Sequence, residues 1–342
     1  MKRLFLLISI TIAALFSSYD LKAEAPERQG WDEDTPLYGN VESVTVTAYY
    51  REERFGEAVR DGIHCYDKYY FNASGDVVEQ ANYNYNGSLW SKTIYKYDSR
   101  ENMIEETEYN SDGSLGWKDI YKYDSSRNMI EEAHYNSDGS LWSKTIYKYD
   151  SRGNMIEKAM YYNSDGSLYG KEIYKYDSRG NMIEKADYYS DGALRDKYTY
   201  KYDSRGNMIE DTYYNSDGSL RGKLRGKSTY KYDSHGNKTE EESYDSNGAL
   251  RDKETYKYDS RGNMIEKAEY NSDGSLYNKD THAYKYDSRG NMIEKVAYNS
   301  DGSLMWKYNY KYDSHGSMIE RTDGEGPEGC EMIVTYDITY RD

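Results

Sequence analysis

Apolar and polar side chains alternate in short runs along this chain, and the same runs return again and again. Tyr95-Lys96-Tyr97 and Met103-Ile104-Glu105 change character at every residue, the period at which side chains share one face of a β-strand. Between them lies Asp98-Ser99-Arg100-Glu101-Asn102, and most copies carry Gly in place of that Glu, as in Asp150-Ser151-Arg152-Gly153-Asn154. Asp starts a turn by bonding its own backbone, and Gly supplies the positive φ that closes a bulged hairpin. A second connection, Asn110-Ser111-Asp112-Gly113-Ser114, carries the Asp-Gly hairpin signal. One unit is therefore two strands and two turns.

The tetrad Tyr-Lys-Tyr-Asp begins at Tyr95, Tyr121, Tyr147, Tyr174, Tyr200, Tyr230, Tyr256, Tyr284 and Tyr310, and a worn tenth copy stands at Tyr69-Tyr70-Phe71-Asn72. Most spacings are 26 residues, a period that marks a repeat array. The predicted fold is all-β: tandem hairpin repeats forming a long twisted antiparallel meander or an open β-solenoid, capped at both ends. Leu and Tyr stay in phase where the units lengthen, with six residues from Leu89 to Tyr95, ten from Leu220 to Tyr230 and eight from Leu276 to Tyr284. Even insertions are what strands require, since a slip of one residue turns a whole face over. The one odd insertion, near Met160-Tyr161, predicts a β-bulge. Followed by parity alone, Leu89, Tyr95, Tyr97, Met103 and Tyr109 share one face, and Lys92, Ile94, Lys96, Ile104 and Glu106 the other. The second face is then suited to cross-strand Lys–Glu ladders.

The ends differ from the array. Residues 1–23 read as a secretory signal, with Lys2 and Arg3 before the apolar run Leu4 to Phe16 and small residues at the cleavage site. Residues 24–68 read as an N-terminal β cap containing the strand-like Val41 to Tyr50, residues 69–320 as ten repeats, and residues 321–342 as a C-terminal β cap. The caps are expected to cover the edge strands of an open array. No second long apolar stretch follows, so no transmembrane segment is expected in the mature chain, and the protein is expected to be exported, periplasmic or extracellular. Cys65 and Cys330 lie outside the repeats at opposite ends; an exported compartment permits a disulfide, whereas the distance between the ends of an open array opposes one, and the sequence leaves their pairing open.

Composition sharpens this picture. Tyr supplies 44 residues and Phe 4, with 37% of the chain apolar, so the buried layer should be thin and built from rings and Met. The formal net charge of −16 repels nucleic acid and anionic lipid. His64, His134, His235, His282 and His315 occupy unrelated repeat positions, no unit stands apart as catalytic, and no zinc or EF-hand spacing is present. No cofactor or metal is expected, and the chain does not read as an enzyme. The stretch after each Leu varies most, and it holds Trp90 with Lys92, Trp117 with Lys118, Trp142 with Lys144, Tyr169 with Lys171 and Trp306 with Lys307. Rings beside cations on a sheet can stack sugars and bond their hydroxyls; variation on an exposed strand is the plainer account.

The units Tyr-Asp-Ser-Arg-Gly-Asn, over residues 69–320, resemble the YD repeats of the Rhs family. That resemblance implies a β-sheet spiralling into a shell, often around a toxic C-terminal domain. This chain departs from the family in being far shorter, in its longer and more regular period, and in having nothing after Glu320 large enough to be a toxin. Tyr69-Tyr70-Phe71-Asn72-Ala73-Ser74-Gly75 is also similar to the aromatic-Gly hairpins of cell-wall-binding repeats. The functional expectation is an exported, non-enzymatic scaffold presenting an extended surface to an envelope or extracellular protein or glycan. The alternatives are a glycan-binding module using the Trp/Tyr–Lys positions and a hydrolase built on unrecognised carboxylates.

Overall fold

Each tetrad ends a strand because its Asp folds back on the chain. The Asp98 carboxylate accepts from the backbone N–H of Arg100 (2.8 Å) and Asn102 (2.9 Å) and from the Asn102 side-chain amide (2.9 Å). Asp150 repeats the pattern with Arg152 and Asn154. The fourth turn residue is left-handed, at φ 85° in Gly153; Glu101 (66°) and Arg127 (68°) hold the same conformation without being glycine. In the other turn Asp112 accepts from the backbone and the hydroxyl of Ser114.

The computed structural model describes residues 28, 29, 31, 35–54, 57–162, 166–220, 226–324 and 332–341. The expected signal segment 1–23, the insertion Arg221–Leu224 and Cys330 lie outside them. The first strands are β1 (Val41–Arg54), β2 (Glu57–Phe71), β3 (Val77–Asn84), β4 (Leu89–Tyr97), β5 (Met103–Asn110), β6 (Leu115–Tyr123), β7 (Met129–Tyr135) and β8 (Leu141–Tyr149). Next come β9 (Met155–Tyr162), β10 (Ser167–Tyr176), β11 (Met182–Tyr189), β12 (Leu194–Tyr202), β13 (Met208–Asn215), β14 (Lys227–Tyr232) and β15 (Lys238–Tyr244). The last are β16 (Leu250–Tyr258), β17 (Met264–Asn271), β18 (Leu276–Tyr286), β19 (Met292–Tyr298), β20 (Leu304–Tyr312), β21 (Met318–Gly324) and β22 (Met332–Tyr340).

Consecutive strands pair antiparallel, and β1 also pairs with β22, from Val41 opposite Tyr340 to Tyr50 opposite Met332. The sheet is therefore a closed barrel of 22 strands. This overturns the open meander or solenoid: β1 and β22 do not cap two free edges but remove both by pairing with each other. Closure also removes the premise that the chain ends lie far apart, because β22 stands one strand away from β2, which carries Cys65.

Two regular irregularities shape the barrel. A bulge at the turn end of each tetrad strand places Tyr95 opposite Glu106 and Lys96 opposite Glu105. Directly opposed residues share a face, so Tyr95 and Glu106 lie together, and Tyr109 joins Lys92 on the other side. The face division drawn by simple parity thus fails after each hairpin, because it counts through the extra bulge residue. The odd insertion does not bulge at Met160-Tyr161. Tyr161 opposes Lys144 as Tyr109 opposes Lys92, so the register is unbroken there, and residues 163–165 lie outside the described ones.

The second irregularity is a register step, two residues in the regular units and four at the lengthened β18, where Thr281 joins Glu266 to Tyr298. Ser91 opposes Asn110, whereas its repeat equivalent Trp117 opposes Glu108, two residues along β5. Two residues of offset per two strands tilt the strands by about 35° to the axis, and a round barrel of this kind has a backbone radius of about 20 Å. Such a bore is far too wide for side chains to fill.

We assign the tyrosine face to the concave side, the side on which Trp31 packs against Tyr69 and Phe71. Tyr95 and Tyr174 are each 8% exposed, while the Lys96 side chain on the opposite face is 58% exposed. Among the described residues the continuous apolar cluster sits at the seam, where Leu37, Val41, Val44, Phe71, Val77, Tyr95, Met318, Val334 and Tyr336 pack together.

Candidate binding surface

The outer wall balances its own charges. Glu105 bonds Lys96 at 2.8 Å and faces Lys118 at 3.5 Å; Glu131 holds both Lys122 and Lys144 at 2.8 Å. These cations keep the Glu105 and Glu131 carboxyls below their usual range, Glu105 chiefly through the Lys96 hydrogen bond and Glu131 against an opposing desolvation. Solvent screens each exposed pair, so a single one contributes little, and the ladder recurs from unit to unit.

The lumen wall is built otherwise. The second Tyr of a tetrad reaches back one unit to a backbone carbonyl: Tyr123 to Met103 (2.7 Å), Tyr149 to Met129 (2.7 Å) and Tyr176 to Met155 (2.8 Å). The first Tyr meets carboxylates, with the Tyr121 hydroxyl donating to Glu106 at 3.3 Å and Tyr147 to Glu132 at 2.8 Å. Burial, with Asp119 nearby, pushes Glu106 up to about 7. Burial also raises Asp119, against the opposing pull of His134, to which it is hydrogen-bonded.

The positions singled out in the sequence do not form one site. Lys92, Lys118, Lys144 and Lys307 stand in the outer ladder, paired with Glu79, Glu105, Glu131 and Glu294. Lys171 lies 5.9 Å from the Tyr188 ring centre. Trp117 and Trp306 fall on the lumen face with partners of their own: Trp117 stacks on His134 at 5.9 Å, and Trp306 meets His282 at 5.6 Å with Lys295 over its ring at 5.1 Å. Trp90, Trp142 and Tyr169 are the extra residues of the bulges that open β4, β8 and β10, at the mouth formed by the Asn-Ser-Asp-Gly-Ser turns.

At that mouth the structure adds aromatics that the variable stretch did not reveal. Tyr85 is 72% exposed and Tyr189 51%, beside Trp90 at 67%, Tyr169 at 47% and Trp142 at 44%. Tyr85 stands where other turns have Ser, and Tyr189 where they have Asn, which is the signal that could have found them. Tyr162 and Tyr169 meet at 4.4 Å, Arg195 lies 6.0 Å from the Tyr189 ring, and His134 joins Trp142 at 5.2 Å. An arc of exposed rings thus runs along the rim from β3 to β12. Tyr277, 74% exposed, stands farther round on β18.

Among the described residues no helix is long and apolar enough to cross a membrane, and no group of three or more His, Cys, Asp or Glu could hold a metal ion. No family model matches the sequence, and no curated protein matches it. Among solved structures, the chain is similar to the Photorhabdus luminescens Tc holotoxin pore with the TccC3-D651A mutation, at 14% identity and TM-score 0.45, covering 78% of this chain and 16% of that one. It is similar to TcdB2-TccC3-Cdc42 at 12% identity and TM-score 0.34, covering 85% and 18% respectively. It is also similar to a porin-like protein from Bacteroides uniformis, at 10% identity and TM-score 0.27, covering 87% and 96%. The chain thus spans less than a fifth of the toxin-complex chains.

Proposed function

We propose that this chain is an exported, non-enzymatic barrel scaffold that meets an envelope or extracellular partner at the aromatic arc of one mouth. The observation that carries this reading is the exposure of Tyr85, Trp90, Trp142, Tyr169 and Tyr189 on a barrel whose outer wall otherwise satisfies its own charges. Large rings left in water on a rigid rim are groups that gain most from being covered. The Lys–Glu rows at mid-strand argue against lipid as the covering phase, since a membrane barrel needs an apolar outer band.

The partner class best suited to the arc is a neutral glycan. Flat rings accept the apolar faces of sugars, and the Asp residues of the adjoining turns repel polyanions. The experiment is titration of the mature protein with soluble neutral polysaccharides, repeated on Trp90→Ala/Trp142→Ala/Tyr169→Ala. Loss of stacking at three positions is expected to weaken binding by at least about tenfold while β-sheet circular dichroism is unchanged. Equal affinity of parent and variant removes the arc from consideration. Absence of glycan binding by the parent, with envelope protein captured through the same rings, moves the partner to protein and keeps the scaffold.

A further inference from the structure

Twenty of the 22 strands are built from the repeat, but the seam is held by something outside it. The chain before β1 crosses the mouth formed by the Asp-Ser-Arg-Gly-Asn turns. At one side Gln29 accepts from the backbone N–H of Val77 at 3.0 Å and donates its side-chain amide to the Glu101 carbonyl at 2.7 Å. At the other side Pro36 accepts from the N–H of Met318 at 3.0 Å, and the Tyr38 N–H donates to the Ser317 hydroxyl at 2.7 Å. The described residues of this segment therefore hold the β2–β3 turn through Gln29 and the β20–β21 turn through Pro36 and Tyr38, on either side of the ends of β1 and β22.

Its grip is buried. Arg28 is 8% exposed and donates to the carbonyls of Gly75 (3.1 Å), Gly39 (2.7 Å) and Leu37 (3.4 Å), while Leu37 is 2% exposed and Ser317 fully enclosed. Trp31 packs edge-on against Tyr69 at 4.9 Å and Phe71 at 5.6 Å. Gly75 is required here, because a Cβ at that position would lie 2.5 Å from the Arg28 guanidinium.

What the segment spans is a short ladder. Among the described residues β21 and β22 share three pairs, Glu320–Thr335, Arg321–Val334 and Thr322–Ile333, whereas β22 and β1 pair from Tyr340–Val41 to Met332–Tyr50. The other three-pair ladder, β13 with β14, has no such segment across it among the described residues. A closed sheet opens first where fewest bonds must break, and local opening free energies differ across a structure.

We propose that the described part of residues 28–40 is a strap that holds a lateral gate shut, the gate being the β21–β22 ladder. Releasing the strap lets β22 leave β21 with β1 and β2, and the tyrosine- and carboxylate-lined lumen opens sideways. Strap and gate stand independently of the glycan reading, which concerns the opposite mouth.

The test is hydrogen exchange on the full mature chain, comparing it with Arg28→Ala/Leu37→Asp. Amides of β21 and β22 are expected to exchange at least about tenfold faster in the variant, with β5 to β12 unchanged and β13–β14 serving as the unstrapped control. A second variant, Tyr38→Cys/Ser317→Cys with Cys65→Ser/Cys330→Ser, ties the strap down. Its β21–β22 amides are expected to be protected when oxidised and to return to parental rates on reduction. Unchanged β21–β22 exchange in the first variant, or acceleration spread evenly over all strands, overturns the gate. Indifference of the second variant to reduction does so as well.

Discussion

At the scale of single residues, a repeat supplies its own controls. Arg127 and Glu101 occupy a turn position that is Gly in most other units, and both are left-handed at φ 68° and 66°. A side chain there costs roughly 1–2 kcal/mol, and Glu101 offsets part of it by accepting from Ser74 and, through its carbonyl, from Gln29. Arg127→Gly should therefore stabilise the protein by about 1 kcal/mol, read as a raised urea midpoint at unchanged slope. A midpoint that falls instead means that the Arg127 side chain makes contacts outweighing its backbone strain. The tetrad explains itself at this scale too. Its Asp closes the turn, its last Tyr bonds a carbonyl one unit back (in the lengthened β18 the first, Tyr284, does so instead), its Lys joins the outer ladder and its first Tyr lines the lumen.

Among elements, the spacing from the Leu to the first tetrad Tyr lengthens by even numbers of residues. β18 has 11 residues where β4 and β6 have nine, yet it keeps Tyr284 opposite Lys295 as Tyr121 opposes Glu132. Inserting one residue between Asp119 and Ile120 of β6 should turn either the Tyr121 side or the Trp117 side of the strand over, exposing tyrosine and burying lysine. Inserting two should be tolerated. Urea midpoints separate the outcomes, and equal midpoints for the two insertions would contradict the alternation. The strands and both turn types were legible in the sequence because they rest on local chemistry, in Asp, Gly and period-two alternation. The division into faces was legible only within a strand. The bulge at Ile104, between Met103 (opposite Tyr97) and Glu105 (opposite Lys96), adds a residue that counting along the chain cannot distinguish from a regular strand position, so Glu106 was assigned away from Tyr95. The binding positions suffered in the same way: Trp117 and Lys118 are neighbours in sequence and face opposite sides of the wall.

For the whole molecule, closure was not legible because no residue encodes it. It arises from a two-residue step carried by the repeat unit, once for each two strands, and from end strands whose pairing with each other leaves no motif. The step also decides what happens when a unit is lost. Deleting Tyr121 to Ile146 removes two strands and two residues of offset together, so the tilt stays at about 35° and only the radius falls, from about 20 Å to about 18 Å. The expected result is a folded, narrower barrel, measured as a smaller cross-section in small-angle X-ray scattering with β-sheet circular dichroism retained. Loss of the fold, or an unchanged cross-section, would contradict a closed ring whose offset is carried unit by unit.

The same proportionality makes the bore of this protein a countable quantity. Tandem duplication or unequal recombination of a 26-residue segment alters the number of staves while leaving every stave, joint and angle as it was. Inheritance can therefore rescale the aperture in whole steps, without inventing a single new contact, and restrict novelty to the strap that must reach across the join.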